Sequence, residues 1–437
     1  MKPGDVLEAV IEKGVYRGRG LGRPGGRVVL VPRAHPGDRV RVRLTEVHPG
    51  WAEGALVEVL DPAPDRRSSP CPYVPRCGGC AHQDVSYEAQ LRLKESVLRE
   101  SLARAGAPWE GPVAVHGSPE EGWRLRAALH FGTREEGLRL GLQQEGTRRV
   151  VDVETCLQLS GRMNRAARSV HRALLGRRSL WRALRGLGLL ESPDGTRLLG
   201  WLETALDPAE AAGLASLVGR VPELDGFGVA TGRRLQWLHG PAHVEASVAG
   251  VVLRAHVRSF FQANRFLVEP LVRTVLELVP RGTSRVIDLY AGVGLFALPL
   301  GARGEPEVVA VEWARTAAED ARWGASRNGI APVRVIEGEV ATALSGIRPE
   351  AGERVLLDPP RTGVSPEVVT LIAARRPEAI VYVSCDPPTL GRDLARLGER
   401  GYRPDTVHLF DLFPDTFHME TVVRLRTSGI SQSGGNP

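Results

Sequence analysis

From about residue 256 to residue 426 the chain alternates strand-like runs with helical stretches, and few patterns restrict a fold more tightly. Residues 285–290, 308–312, 333–337, 354–358, 379–384 and 421–425 read as strands, and 264–279 as the helix that leads into the first of them. That alternation predicts an α/β, doubly wound parallel sheet. In such sheets chemistry gathers at the carboxyl ends of the strands, where side chains project from a rigid scaffold into a crevice. One of these runs, Val381-Tyr382-Val383-Ser384-Cys385-Asp386-Pro387-Pro388, delivers a cysteine into a proline-rich turn. Cys385 is the only cysteine in the C-terminal half, so it has no sequence-local partner for a metal site or a disulfide. A lone cysteine is commonly a small buried hydrophobe; its placement at a strand end is what argues for reactivity.

With 437 residues the chain is too long for one ordinary core, and two or three domains are expected. The proportions of hydrophobic and charged residues, 42% and 25%, are those of a soluble globular protein. No apolar run approaches the ~18 residues of a membrane span, and the polar start Met1-Lys2-Pro3-Gly4-Asp5 lacks the apolar core of a signal peptide, so a cytoplasmic protein without membrane contact is expected. A net charge of +6 favours a polyanionic partner. Only Lys2, Lys13 and Lys94 are lysines, an arginine bias that genome composition or a hot habitat can also produce. Between residues 161 and 190 eight arginines (Arg162, Arg165, Arg168, Arg172, Arg177, Arg178, Arg182, Arg185) stand without a single acid. Several recur at helical spacing, either as a solvated helix face or as a contact for nucleic-acid phosphate.

Ahead of the α/β region, residues 1–60 read as a small β-barrel. Strand-like runs lie at 6–11, 27–32 and 38–44, with turn formers between them. Arg39, Arg41 and Arg43 fall on one strand face and Val40, Val42 and Leu44 on the other. A small barrel with a basic face suits single-stranded nucleic acid. Gly20 to Gly26, Val31-Pro32 and Pro36-Gly37-Asp38 resemble a TRAM domain, the OB-like barrel attached to several RNA-modifying enzymes. After a Pro- and Ser-rich linker at 61–70 comes the cluster Cys71, Cys77 and Cys80, spaced C-x5-C-x2-C, and the remaining thiol is Cys156. Three close thiols and one remote thiol suit zinc or an iron–sulfur cluster, with disulfides as the rival in an oxidising compartment. The spacing is not that of radical enzymes, so an architectural site is expected. Residues 71–257 are expected to form a mixed α+β middle domain that contacts RNA, with an amphipathic helix at 90–105.

Within the α/β region, Val286-Ile287-Asp288-Leu289-Tyr290-Ala291-Gly292-Val293-Gly294 places two glycines in the turn after a strand, where a cofactor can approach the backbone. Glu312 closes the next strand, positioned to hold ribose hydroxyls. A glycine pair also fits a dinucleotide fingerprint. Three features favour S-adenosylmethionine: Asp288 within the first strand, Asp358-Pro359-Pro360-Arg361 ending the fourth, and the thiol of Cys385 ending the fifth. Adenine-amino methyltransferases follow the diproline with an aromatic residue. Arg361 stands there instead, which together with the thiol argues for methylation at carbon.

These motifs, with Ser259-Phe260-Phe261-Gln262-Ala263-Asn264 and Phe413-Pro414-Asp415-Thr416-Phe417-His418-Met419-Glu420, resemble the RNA 5-methyluridine methyltransferase family, in particular its bacterial 23S ribosomal RNA branch with a TRAM domain and an iron–sulfur site. The resemblance implies a Rossmann-like methyltransferase domain over 258–427; residues 428–437, rich in Ser and Gly, read as a disordered tail. It implies Cys385 as nucleophile, Glu420 as base, and cofactor contacts from Gln262, Tyr290, Gly292, Glu312 and Asp358. It also implies a [4Fe-4S] cluster on Cys71, Cys77, Cys80 and Cys156. Ala291 and Leu295 depart from residues often found in the family at those positions. The implied partner of this expected monomer is 23S ribosomal RNA, with transfer RNA the alternative, and the rival reading of another class is a non-catalytic iron–sulfur RNA-binding protein. The chemistry accounts for the residue types: C5 of uracil is a poor nucleophile until a thiolate adds to C6, and a base must then remove the C5 proton. A thiolate at neutral pH calls for a Cys385 pKa below the ordinary ~8.5.

Overall fold

A computed structural model of the chain describes residues 1–134, 137–282 and 284–427. The tail expected at 428–437 lies outside the described residues.

The N-terminal strands β1 (Val6–Val15), β2 (Arg19–Gly22), β3 (Val28–Pro32), β4 (Arg39–His48) and β5 (Trp51–Asp61) close into a barrel in the order β1-β2-β3-β5-β4. Alternation along β4 buries Val40, Val42 and Leu44 and turns Arg39 and Arg43 outward, with Arg41 half-buried. Arg39 and Arg41 pair with Glu8, Asp61 and Glu58, so the expected basic face is largely neutralised by its own neighbours.

Helix α1 (Tyr87–Arg104) and strand β6 (Val113–His116) follow, then β7 (Arg126–Arg134), β8 (Gly137–Gln143), β9 (Val150–Asp152), α2 (Gly161–Leu175), β10 (Leu184–Glu191), β11 (Leu198–Thr204), α3 (Pro208–Ala212), β12 (Gly226–Thr231) and β13 (Arg234–His239). Strands β7 to β13 form one sheet in the order β13-β12-β11-β10-β7-β8-β9, packed on α2 through Met163, Ala166, Val170 and Leu174. The arginine-rich stretch is not one helix face. The helix ends at Leu175 and Gly176, so Arg177, Arg178, Arg182 and Arg185 lie beyond it, and Arg162 is committed to Asp225 at 2.7 Å.

The hairpin β14 (His243–Val248) and β15 (Val251–His256) leads to α4 (Val268–Leu278), β16 (Val286–Leu289), α5 (Ala297–Ala302), β17 (Val308–Glu312), α6 (Arg315–Arg327), β18 (Val333–Glu337), α7 (Val340–Gly346), β19 (Arg354–Leu357), α8 (Pro366–Arg375), β20 (Ala379–Ser384), α9 (Pro387–Gly398), β21 (Tyr402–Phe410) and β22 (Glu420–Thr427). These strands make a sheet ordered β18-β17-β16-β19-β20-β22-β21-β6, with β22 antiparallel to both neighbours and the rest parallel. Successive residues face opposite cores: Val286, Leu356, Val381 and Val422 join the layer containing α4, α5 and β14–β15, whereas Ile287, Leu357, Tyr382 and Val423 join the layer with α7, α8 and α9. Helices therefore cover both faces, as a doubly wound sheet requires.

Two pieces of the segment read as the middle domain lie elsewhere. Strand β6 pairs with β21 at the sheet edge, and α1 buries Val97, Leu98 and Leu102 in the same core as α9. The helix expected from residue 264 begins at Val268, because the Asn264 side chain accepts from the N–H groups of Phe266 and Leu267 and holds the preceding turn. Among the described residues no helix is long and apolar enough to cross a membrane.

Candidate active site and thiol cluster

The order of the sheet reverses between β16 and β19, which opens a crevice at the carboxyl ends of the strands. Residues of the glycine turn, Tyr290 and Gly292, follow β16; Glu312 ends β17; Asp358 follows β19; and Cys385 follows β20. Glu420 opens β22, and Ser384 pairs with Thr421, so Glu420 and Cys385 flank the same edge of two adjacent strands.

Tyr290 at φ 64°, Gly292 at φ 56° and Gly294 at φ 82° give the turn a left-handed path. No atom lies within 4 Å of where a Cβ on Gly292 would stand, so the backbone there is open to a ligand. The Glu312 carboxylate accepts from Gly292 N at 2.8 Å and Ala314 N at 2.7 Å, which clamps the turn to the neighbouring strand. Asp288 is fully buried, and burial followed by repulsion from Asp358 drives its pKa upward. The N–H of Ala297 offsets part of that cost, yet neither carboxyl oxygen completes a hydrogen bond. An open glycine turn beside an orphaned buried carboxyl fits a bound S-adenosylmethionine. Gln262 is buried between two anchors, Ser259 on Asp320 and Asn264 on Ser118 and Leu412.

Burial and the charge of Glu312 raise the pKa of Asp358 to about 7. Burial and the charge of Asp358 hold Glu420 well above the ordinary carboxylate range, against a downward pull from Arg361. The thiol of Cys385 is pushed up to about 12, first by burial and then by Glu420, with Arg361 within hydrogen-bonding reach and pulling the other way. The lowered pKa expected for Cys385 is therefore not found: in the free protein desolvation and two carboxyls outweigh one guanidinium. Arg361 is aimed by His418, whose Nδ1 accepts from the guanidinium at 3.0 Å. Burial, followed by Arg361, lowers the His418 pKa to about 4, leaving it a neutral acceptor. In the sequence Arg361 is notable only as a non-aromatic residue after the diproline; its place in the Asp-Pro-Pro-Arg run is the available signal for a role at the thiol.

The four remaining cysteines are free and line one small cavity with Tyr73, Gln83, Leu142 and Leu157. The Cys77 sulfur accepts from Gly79 N at 3.4 Å and the Cys80 sulfur from Gln158 Nε2 at 3.0 Å. Burial raises the pKa of Cys77, Cys80 and Cys156. Among the described residues no three of His, Cys, Asp and Glu stand at the mutual spacing of a metal-binding group, so the thiols share a cavity without converging on one point. The loop just after Cys80 grips the catalytic side of the molecule: Ala81 N and His82 N both donate to Asp415 O, at 2.8 and 2.9 Å. Asp415, left-handed at φ 65°, also accepts from Gln90 Nε2 at 3.1 Å and Gln83 Nε2 at 3.3 Å.

Residues 86–428 match the family described as tRNA (uracil-5-)-methyltransferase, and residues 1–57 match the TRAM domain. An RNA methyltransferase of Thermosynechococcus vestitus is 32% identical over 97% of this chain and 99% of its own. The 23S rRNA (uracil(1939)-C(5))-methyltransferase RlmD of Pseudomonas putida is 34% identical over 94% of this chain and 92% of its own. The structure superimposes on the Pyrococcus abyssi tRNA (uracil-54, C5)-methyltransferase, solved with S-adenosyl-L-homocysteine, with a TM-score of 0.74 and 25% identity, over 96% of this chain and 100% of that one. The chain thus belongs to the tRNA (uracil-5-)-methyltransferase family, S-adenosylmethionine-dependent enzymes that methylate C5 of uracil in RNA, and carries the TRAM domain at its N-terminus.

Proposed function

We propose that this enzyme methylates a uridine of 23S ribosomal RNA, with Cys385 as nucleophile and Glu420 as the base that releases the product. The observation that carries the reading is the pairing of β20 with β22, which sets the thiol and the carboxyl on adjacent strands at one edge of the crevice. Support for a ribosomal target comes from the relative named for that reaction, which is more similar in sequence than the structural neighbour named for transfer RNA.

Bound S-adenosylmethionine supplies an electrophilic methyl carbon; Gln262, Tyr290, Gly292, Glu312 and Asp358 are the residues to hold it. As the Cys385 sulfur bonds to C6, the thiol proton passes to Asp358, which is partly ionised near neutral pH, and the C5–C6 electron pair moves onto C5 and the adjoining carbonyl. Arg361 favours the charged forms of both Cys385 and Glu420. Once C5 carries the methyl group, Glu420 removes the C5 proton in the carboxylate form, which Arg361 favours and which protonation of Asp358 makes less costly; the C5–C6 double bond re-forms and the C6–S bond breaks. The target base leaves its stack to reach this buried site, at a cost of a few kcal/mol.

Transfer of labelled methyl groups to purified 23S ribosomal RNA and to transfer RNA, followed by mapping of the labelled nucleotide, tests the reading. Label in 23S uridine that is lost in Cys385→Ala is expected; full activity in that variant overturns the nucleophile, and label confined to transfer RNA overturns the substrate. The four thiols of Cys71, Cys77, Cys80 and Cys156 line one cavity and match a [4Fe-4S] cluster by donor type, since cysteine sulfur is the usual ligand of such clusters. Brown protein containing iron and inorganic sulfide in equal amounts is expected after anaerobic purification. Colourless protein with stoichiometric zinc overturns the cluster.

A further inference from the structure

The turn between β1 and β2 leaves the barrel and enters the active-site region. Its Tyr16 hydroxyl donates to Asp386 Oδ2, from a residue 370 positions away in the chain. Asp386 directly follows Cys385 and starts α9, where its other oxygen accepts from Thr389 N at 3.0 Å. The same tyrosine ring meets Phe417 edge to face, with centroids 6.1 Å apart and planes at 88°. Phe417 lies in the loop that leads to Glu420, and its ring is 4.0 Å from that of His418, the residue aiming Arg361. One barrel side chain thus touches both the segment carrying the thiol and the segment carrying the base.

The turn is seated tightly. Arg17 and Gly18 are both left-handed, at φ 72° and 71°, and a Cβ on Gly18 would stand 3.0 Å from Ala81 Cβ and 3.2 Å from Phe417 Cβ. Burial, then the neighbouring Asp386, raises the pKa of Tyr16, so the phenol stays protonated and available as a donor. Ser384 Oγ accepts from Asp386 N at 3.3 Å, which leaves the short link between thiol and helix little freedom once Asp386 is held.

We propose that Tyr16 is a positioning residue for the methyl-transfer reaction: by fixing Asp386 through its hydroxyl and Phe417 through its ring, the RNA-binding barrel sets the spacing between Cys385 and Glu420. The inference rests on the assignment of Cys385 as nucleophile. Its consequence is that the barrel contributes to the rate of chemistry as well as to RNA affinity, because a reacting sulfur misplaced by an ångström costs about 100-fold.

The test uses full-length protein and bulk RNA from cells lacking this enzyme, which contains the unmodified target whichever RNA that is. Single-turnover methyl transfer and RNA binding are measured for wild type, Tyr16→Phe, Asp386→Ala and the double variant, with Cys385→Ala as the reference. Tyr16→Phe keeps the ring and removes only the hydroxyl. A fall of about 10-fold or more in the single-turnover rate, with RNA Kd and melting temperature held, is expected, together with no further loss when Tyr16→Phe is added to Asp386→Ala. A Tyr16→Phe rate equal to wild type, or a loss wholly in RNA Kd, overturns the positioning role. If Asp386→Ala does not fold, the rate and affinity of Tyr16→Phe alone still decide. Activity surviving in Cys385→Ala would instead show that the underlying nucleophile assignment is wrong.

Discussion

Cys385 in the free enzyme should react slowly with a small disulfide reagent, at a rate that climbs with pH and does not level off near neutrality. The thiol sits at about 12 because burial and the Glu420 and Asp358 carboxyls outweigh Arg361. A raised pKa keeps the group as thiol, so the reactive thiolate appears only as pH rises. At about pH 8 the thiolate fraction is about 2,400-fold smaller than for an ordinary cysteine of pKa ~8.5, while the greater basicity of the sulfur returns about 40-fold in intrinsic reactivity. The net expectation is a rate about 60-fold below free cysteine, rising about tenfold per pH unit through the range ~7–10. Arg361→Gln removes the one group that pulls the pKa down, and should slow the reaction severalfold further. The assay is stopped-time labelling with peptide mapping, which separates Cys385 from the other four cysteines. A rate equal to or faster than free cysteine, or a plateau below about pH 8.5, would mean a preformed thiolate. The balance drawn here between desolvation and the guanidinium would then be wrong.

Glu420→Gln should methylate C5 yet fail to release it, lowering turnover about 100- to 10,000-fold and accumulating an RNA–protein adduct that survives denaturing electrophoresis. Absence of that adduct, with turnover intact, would remove Glu420 from the reaction. Glu312→Ala orphans the Gly292 and Ala314 N–H groups and loosens the glycine turn; binding of S-adenosyl-L-homocysteine measured by calorimetry should weaken by about 2 kcal/mol or more, and an unchanged Kd would refute the clamp. Asp415→Ala strips the side-chain acceptor from Gln83 and Gln90 and places a less tolerant residue in a left-handed conformation. Thermal or denaturant unfolding should register a loss of about 2–4 kcal/mol, and a shift below about 0.5 kcal/mol would refute the latch.

Periodicity made most of the architecture legible, since a strand covered on both faces or half-buried in a barrel must announce itself in its side chains. It failed where local pattern and tertiary role diverge. Strand β21 contains Pro404 and alternates charged residues, and β6 is only four residues long, so neither reads as part of a central sheet. Cys385, Asp358 and Glu312 were each visible because every one sits at a strand end, a position that sequence marks, whereas Glu420 was visible only through the resemblance of the Phe413 to Glu420 segment to the family. What sequence does not mark is how neighbours from separate strands act on one sulfur. The expectation of a depressed Cys385 pKa came from the reaction's demand, and the surroundings supply the reverse. Tyr16 left no local trace of its partner, because the contact joins residues from opposite ends of the chain.

The pairing of β6 with β21 has a bearing on how the polypeptide is made and how it can be cut. His116 must wait for Phe410 to be synthesised before its register is complete, so the outermost ribbon of the methyltransferase sheet closes last. A fragment beginning at residue 258 would present β21 as a bare edge and leave α9 without α1 against it. Such a fragment is expected to stick to copies of itself, whereas a cut ahead of Tyr87 keeps α1 and β6 with the sheet they complete.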